Sequence, residues 1–515
     1  MERRMDRRFL TLLCVSIPSF MINLDANIVS VSLPSIAQTL HADFGAIEWV
    51  ISAYTLAFAS LVMPAGALAD RFGRKRLLVV GLAVFTLASL ICGAASSVTL
   101  LNWARAVQGT GAALQLSAAL AILSNEFQGK HRAKAFAFWG SIIGIGIMLG
   151  PVAGGVITQI LGWQWAFYVN LPIGAAMIAL TIFTVNESRD PKANRIDVVG
   201  VVTLASFLGL ATYALISGNH AGWSSQPVLT SAFCAVAALV AFIVVERIQE
   251  RPMMDFTYFI RPTYLGANIA AVAYAATFLT MLTYLPFFFQ NGLAFGPMKA
   301  GALMLPLAAG LFVVPRLVTA YVEHRVSGRL LLVIGLILVG SGLLIASTQV
   351  GTMSYLRVAV PMMLASIGAG ILNGQVVKVG MTVIPADRAG MASGVSGTMR
   401  FSGIVIGFAA LGAVFFQGIT SGVSHAIPFV GGDLLRVISR AIGSGDMTVA
   451  ATLLEKQGID GSVAREIVGA GLHEVMKYAS MTAFVAAIAS HWLISPAETE
   501  PLGTKETQVI DSLID

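Results

Sequence analysis

Asp25 is the acidic residue set well inside the first long apolar run of the sequence, nine residues before Pro34. On a helix rising about 1.5 Å per residue that is roughly 13 Å from the end of the run. Arg105 stands about six residues into the fourth apolar run, at a similar depth. Charges buried in lipid are expensive unless paired or hydrated, and they mark pathways. Burial favours the neutral acid at Asp25, whereas a nearby guanidinium favours the anion. A carboxyl balanced between the two can take up a proton on one side of a membrane and release it on the other. Asp25 is therefore the candidate proton carrier, with Arg105 tuning it and Gln108, three residues further on, in support. A structural reading of the same pair is a fixed salt bridge between two helices.

The elements that must position these residues are membrane helices. Of the 515 residues 57% are hydrophobic and 11% charged, against roughly 25% charged in a soluble domain. Apolar runs long enough to cross a core of about 30 Å recur from end to end. The first, behind "MERRMDRR", is too long for a signal peptide and is read as a retained helix. Helices are expected near 9–37, 47–69, 76–96, 99–125, 133–160, 164–185, 196–217, 227–246, 263–290, 299–321, 330–349, 356–382, 391–417 and 473–494, fourteen in all.

Basic residues alternate between the loops. Arg3, Arg4, Arg7 and Arg8 precede the first helix, and Arg71, Arg74, Lys75 and Arg76 follow the second. Lys130, Arg132 and Lys134 follow the fourth, and Arg189, Lys192 and Arg195 the sixth. Arg247, Arg251 and Arg261, then Arg325 and Arg329, then Arg388 continue the series, while opposite loops such as "SGNHAGWSSQ" hold almost none. The positive-inside rule places both termini in the cytoplasm of a cell with a cytoplasmic (inner) membrane as its site. The net charge of +6 is thus topological, and nucleic acid is not an expected partner. Residues 418–472 form an external segment with amphipathic stretches, "DLLRVISRAI" and "TVAATLLEKQ", read as a cap or interfacial pair, or else a docking site for a partner.

Other chemistries find no support. Cys14, Cys92 and Cys234 lie in separate runs, and the seven histidines (41, 131, 220, 324, 425, 473, 491) have no metal-ligand spacing. There is no Walker loop, HExxH or GxSxG. A membrane-embedded enzyme and a receptor are accordingly disfavoured, and neither cofactor nor metal is expected.

The helix at 133–160 carries Gly140, Gly144, Gly146, Gly150, Pro151, Gly154 and Gly155, with 146, 150 and 154 on one face. Bare faces let helices approach closely in lipid, and Pro151 removes a backbone donor. A worn repeat also runs through the chain: "LADRFGRKRLLVVG" from Leu68 aligns without gaps on "VEHRVSGRLLLVIG" from Val322, placing Arg71 on Arg325. Repeated halves around a midplane site are a transporter architecture.

The cytoplasmic turn "GALADRFGRKRLL", with Gly66, Asp70, Arg71, Gly73, Arg74 and Lys75 in place, resembles the signature between the second and third helices of the major facilitator superfamily. "LDANIVSVSLP" and "GIMLGPVAGG" resemble the first-helix and antiporter motifs of its fourteen-span drug:proton antiporters. "LNWARAVQGTGAA" and "GWQWAFYVNLPIG" resemble the fourth-helix motif and the opening of helix six. The resemblance implies an all-α integral membrane fold of two six-helix bundles related by a pseudo-twofold repeat, with two extra central helices. Residues 1–190 and 251–497 are the expected bundles, 191–250 the inserted pair and 498–515 a cytoplasmic tail.

It further implies proton-coupled efflux of amphiphilic drugs by alternating access, driven by the proton motive force, in a monomer. Asp70, Arg71 and Arg74 would then latch the outward-facing state, with Asp70 accepting hydrogen bonds from a neighbouring helix's N-terminal amides; a topology anchor is the simpler role. Gly146, Gly150, Pro151, Gly154 and Gly155 would limit proton leak through tight packing. Candidate substrate contacts are Tyr54, Phe58, Trp139, Phe278, Tyr284, Gln290, Asn373, Gln375 and the deep cation Arg400. Because deep positive charges outnumber deep acids, neutral, zwitterionic or anionic amphiphiles stay open beside cationic dyes. Alternatives are a dedicated exporter of a metabolite or lipid, and the inner-membrane pump of a tripartite system with a periplasmic adaptor.

Overall fold

The structure is a computed structural model; it describes residues 2–500 apart from 128, 190–196, 250, 251, 253, 385–388, 429 and 430. Arg195, Lys192, Arg251, Arg388 and most of the expected tail therefore lie outside the described residues, as do the side chains of Arg3, Arg4, Lys130 and Arg132. Among the described residues every regular element is helical. That is what lipid demands of these apolar sequences, since a helix satisfies its backbone groups within one segment.

Thirteen helices are long and apolar enough to cross a membrane among the described residues. They are numbered here as spans one to thirteen: Arg7–Leu40, Phe44–Phe72, Arg74–Gly93, Val98–Glu126, Lys134–Ile160, Trp165–Thr184, Val198–Gly218, Gln226–Ile248, Pro262–Asn291, Pro297–Val322, Gly328–Val350, Tyr355–Met381 and Gly394–Ala426. Polar caps start several of them: Asp43 accepts from Ala46 N at 2.8 Å and Ser97 from Leu100 N at 3.3 Å. The last helix, Val463–Leu493, begins ten residues before the expected 473. It is not among the thirteen: Arg465, Glu466, Glu474 and Lys477 stand in its first half, and Tyr478, Ser480, Thr482, Ser490 and His491 dilute its apolar stretch. Those charges share a helix with Ala464, Ile467 and Val468, whose burial extends the helix outward beyond its apolar core.

Helix pairing follows one scheme twice. Span one packs on five, two on four, three on four and three on six. Likewise span nine packs on thirteen, ten on twelve, eleven on twelve and eleven on the last helix. Glycines face each other in both halves: Gly81 meets Gly111 across spans three and four, and its repeat counterpart Gly335 meets Gly368 across spans eleven and twelve. Small residues permit such contact where lipid supplies no hydrophobic drive between helices. Span seven lies against spans two and thirteen, while span eight packs mainly on seven. Span eight turns Phe233, Val236 and Val240 outward, as a lipid-facing helix should.

Three spans are irregular. Span ten breaks at Met304, between Pro297–Leu303 and Leu305–Leu317, and ends in a π-helical turn, Val318–Val322. Span six is interrupted at Val169, between Trp165–Tyr168 and Asn170–Thr184. Span nine contains a π-helical turn, Ala275–Leu279, an insertion that frequently marks functional sites. The segment 418–472, expected to be external, holds two helices, Gly432–Ser444 and Met447–Glu455. The first buries Ile438 and Ile442 and leaves Arg436 and Arg440 exposed, so it caps the second half rather than extending into water.

Candidate functional site

Asp25 and Arg105 meet. Arg105 Nη1 donates to Asp25 Oδ2 at 2.6 Å and to Gln108 Oε1 at 2.6 Å, while Arg105 Nε donates to the Val50 carbonyl at 3.0 Å. Gln108 Nε2 donates to Asp25 Oδ1 at 2.9 Å and to Ser89 Oγ at 2.8 Å. Asp25 is fully buried and Arg105 is 1% exposed. One cluster thus joins spans one, two, three and four through side chains whose partners are all polar.

Asn170 completes it. Its Nδ2 donates to Asp25 Oδ1 at 2.8 Å and lies 3.4 Å from Ser89 Oγ. Sequence reasoning quoted the stretch containing Asn170 without assigning it a role. Its signal is positional, an amide at the start of the longer part of span six, where the helix interruption aims it inward. Asp25 therefore receives three donors from three side chains, the arrangement that makes an anion tolerable away from water. The guanidinium also lies over the Tyr54 ring at 4.1 Å and the Phe167 ring at 5.8 Å, which shields it with aromatic faces.

The glycine stripe brings span five onto span one. A Cβ at Gly154 would lie 2.8 Å from Ile28 Cα, one at Gly146 3.0 Å from the Phe20 ring, and one at Gly150 would overlap Asn27. Gly155 has a different neighbour: its added Cβ would strike the Pro297 carbonyl of span ten, and one at Gly301 would strike the Pro151 carbonyl. Span five is therefore wedged between span one, which carries Asp25, and the start of span ten in the other half. The helix runs through Pro151 as a single α-helix.

At the turn between spans two and three, Arg74 Nη2 and Nε donate to Asp70 Oδ1 at 2.8 and 2.9 Å. Among the described residues no helix amide donates to Asp70. Glu187, just beyond span six, takes that role: its carboxylate accepts from Lys75 N at 3.0 Å and Arg76 N at 3.1 Å. Those amides are orphan donors of the first turn of span three and favour a negative group. Glu187 sits closer to them than Asp70 because Gly73 has φ of 112°, and a Cβ there would come within 2.6 Å of the Glu187 carboxyl. Lys75 Nζ donates to the Ile182 carbonyl at 2.6 Å. Arg71 lies 5.4 Å from the Phe72 ring, and a Cβ at Gly66 would meet open space.

The candidate substrate contacts do not form one group. Tyr54 and Phe58 stack at 6.3 Å beside Arg105, and Phe58 meets Phe401 of span thirteen at 4.1 Å. Trp139 Nε1 donates to Ser19 Oγ at 2.9 Å, which ties spans five and one. Tyr284 Oη donates to the Phe408 carbonyl at 3.0 Å, and Gln290 Nε2 to the Val31 carbonyl at 2.9 Å between the halves. Phe278 is buried in the π-helical turn, with Arg400 5.6 Å from the ring of nearby Tyr274. Gln375 lies in span twelve, its Nε2 3.3 Å from Glu323 just beyond the end of span ten, and Asn373 is half-buried. Lys378 Nζ donates to both Glu323 oxygens at 3.0 and 2.7 Å. Burial works to raise the Glu323 carboxyl, but the hydrogen bond and charge of Lys378, helped by Gln375 and Thr319, hold it below its usual value.

A helical bundle with paired internal charges, a glycine-packed wedge between halves and a repeated pairing scheme defines a multi-pass membrane transporter. The family model described as Major Facilitator Superfamily matches residues 15–408, and the chain belongs to that superfamily. It is 36% identical to the multidrug resistance protein Stp of Mycobacterium tuberculosis over 410 residues, 79% of this chain and 76% of that protein. It is 34% identical to a methylenomycin A resistance protein of Streptomyces coelicolor, over 80% of this chain and 86% of the relative. The drug efflux pump JefA of Mycobacterium tuberculosis is 31% identical, with 79% and 80% covered. Among solved structures, a bacterial homologue of the human lysosomal transporter Spinster shares the fold, with a TM-score of 0.61 at 15% identity over 96% of this chain and 98% of that one.

Proposed function

We propose that the protein exports amphiphilic drugs or toxic small molecules across the cytoplasmic membrane in exchange for protons, by alternating access. The relatives named for drug resistance and efflux support the substrate class. The observation that carries the mechanism is the sealed Asp25 cluster, in which a carboxylate is held by Arg105, Gln108 and Asn170. Such a carboxylate can be protonated only when its donors rearrange, which ties a proton to a change of helix packing. Arg105 is the element that reports the change, since it spans Asp25 and the Val50 backbone of span two.

In this reading residues 1–190 and 251–497 form the two moving bundles, 191–250 the inserted pair and Val463–Leu493 a fourteenth span, with both termini cytoplasmic. The repeated pairing scheme supports it. The Asp70–Arg74 pair and the Glu187 cap form the breakable cytoplasmic latch, because ion pairs at a water boundary break cheaply. Tyr54 and Phe58, beside the cluster and touching Phe401 across the halves, are the cavity contacts with most support. The proton motive force is the only energy source, and the protein works as a monomer.

The test is accumulation. In energised cells lacking their own pumps, expression should lower intracellular amphiphilic antibiotic, and a protonophore should abolish the effect. Unchanged accumulation across a broad panel contradicts export of drugs. A dedicated metabolite exporter is the second reading, favoured by the likeness to a probable actinorhodin transporter of Streptomyces coelicolor, 32% identical over 76% of this chain.

A further inference from the structure

Glu48 is a carboxyl that the Asp25 mechanism does not use. It lies four residues inside span two, close to the outer end, yet it is only 1% exposed. Neither of its carboxyl oxygens has a hydrogen-bond partner. Burial comes from the other half of the molecule. Glu48 Oε1 sits where a Cβ on Gly412 of span thirteen would be, and the Tyr284 hydroxyl of span nine is 3.2 Å from that same point. One turn outward, Phe44 stacks on Phe416 at 6.0 Å and lies 5.8 Å from Phe415, closing the contact against external water.

The groups that bear on Glu48 offer no counter-charge. On its own helix the nearest is Asp43, an acid, whose carboxylate caps Ala46. Span nine presents Tyr284, whose hydroxyl is committed to the Phe408 carbonyl. From span four Arg105 is committed to Asp25, Gln108 and Val50. Span thirteen has Arg400 twelve residues further in, roughly 18 Å along the helix. The capping helix Gly432–Ser444 turns Arg436 and Arg440 to solvent. An ionised carboxylate sealed here would have neither water nor partner, whereas the acid form carries no charge to solvate.

We propose that Glu48 is a second proton-binding site, built into the outer contact between the two halves. It holds a proton while that contact is closed and releases it to external water when the halves part there. External protons therefore favour closure of the outer face and external alkali favours its opening. A single linked proton changes the ratio of the two states by up to about tenfold per pH unit. The proposal rests on the alternating-access reading above, but on neither Asp25 nor the identity of the substrate. Gly412 has a part in it, because a side chain there would occupy the Glu48 carboxyl's place.

The test is a distance measurement on the full chain in lipid nanodiscs. Spin labels are placed at Thr39→Cys and Thr348→Cys, exposed positions at the outer ends of spans one and eleven, in a Cys234→Ser background; Cys14 and Cys92 are buried. Pulsed electron resonance then reads the distance at about pH 5.5 and about pH 9, on either side of the range open to a buried carboxyl. The wild type should gain a longer-distance population at the higher pH. Glu48→Gln should keep the short distance at both, and Glu48→Asp, which restores a carboxyl, should restore the response and exclude a folding defect. A wild type without response, or a Glu48→Gln that responds like it, overturns the proposal. The same pair in Asp25→Asn separates the two proton sites: a response that survives Asp25→Asn and is lost with Glu48→Gln belongs to Glu48, even if export is not coupled through Asp25. Loss with Asp25→Asn alone leaves the coupling reading standing and removes this one.

Discussion

Arg105 holds Asp25 at 2.6 Å with neither residue reaching solvent, and the same guanidinium grips the Val50 carbonyl of span two. Removing one partner of a sealed pair costs more than the pair contributes, about 3–5 kcal/mol, because a buried charge is left behind. Arg105→Ala should therefore lower thermal stability strongly, and Asp25→Asn less, since an amide can still accept from Arg105. Melting curves of the purified variants check the order. Equal losses would mean that Asp25 is not the residue that holds Arg105.

Asn170 supplies one of the three donors to Asp25. Asn170→Ala should cost about 1–3 kcal/mol as the price of an under-satisfied buried carboxylate. Export by this variant should also fall, because Asp25 loses one of the donors that hold it in the cluster. Transport rates of wild type and Asn170→Ala compared at equal expression decide this; equal rates would reduce Asn170 to packing.

Glu187 and Asp70 both bear on the turn between spans two and three but should differ in their effect on stability. Glu187 caps two backbone amides of span three, a role worth about 1 kcal/mol. Asp70 makes an i,i+4 ion pair with Arg74 at a half-exposed position, worth at most about 0.5 kcal/mol. Glu187→Ala should therefore melt below Asp70→Ala. The reverse order would show that Asp70, not Glu187, fastens this turn.

Gly154→Ala and Gly66→Ala form a matched pair. The first drives a methyl to 2.8 Å from the Ile28 backbone, which cannot step aside, while the second places one in open space. Overpacking of this kind costs about 1–3 kcal/mol, so Gly154→Ala should be clearly destabilised and Gly66→Ala near wild type. Comparable melting temperatures would refute the close span one to span five contact.

Lys378 and Glu323 give a pH dependence with a defined sign. The Glu323 carboxyl is held below its usual value, so the unfolded chain binds the proton more readily. The contribution is present above pH 4.5 and is lost as the pH falls through the folded value. The pair is about one-third to one-half exposed, which limits it to about 1 kcal/mol or less. Lys378→Met should narrow the stability gap between neutral and acid pH; an unchanged gap would assign the acid sensitivity to other carboxylates.

Much of this was legible in the sequence because membrane constraints write in long, simple patterns. Apolar length located thirteen spans, and the depth of Asp25 and Arg105 in two such runs is what made them a pair. Residues whose role depends on a partner from a distant span were illegible. Asn170 is an ordinary amide until the break at Val169 turns it toward Asp25, and Glu187 looks like a loop acid until Gly73 clears its approach to span three. Glu48 sits near a helix end, where charge is usually hydrated; only the fold brings Gly412 over it. The start of the last helix was missed for a related reason, since its charges mask a buried stripe of Ala464, Ile467 and Val468.

The most direct test loads everted membrane vesicles with a pH-sensitive dye, energises them and adds amphiphilic compounds, with wild type beside Asp25→Asn. Proton release in wild type that disappears in Asp25→Asn is the predicted result. Release of equal size in both would contradict the account, leaving Asp25 and Arg105 as a structural salt bridge and the coupling proton elsewhere.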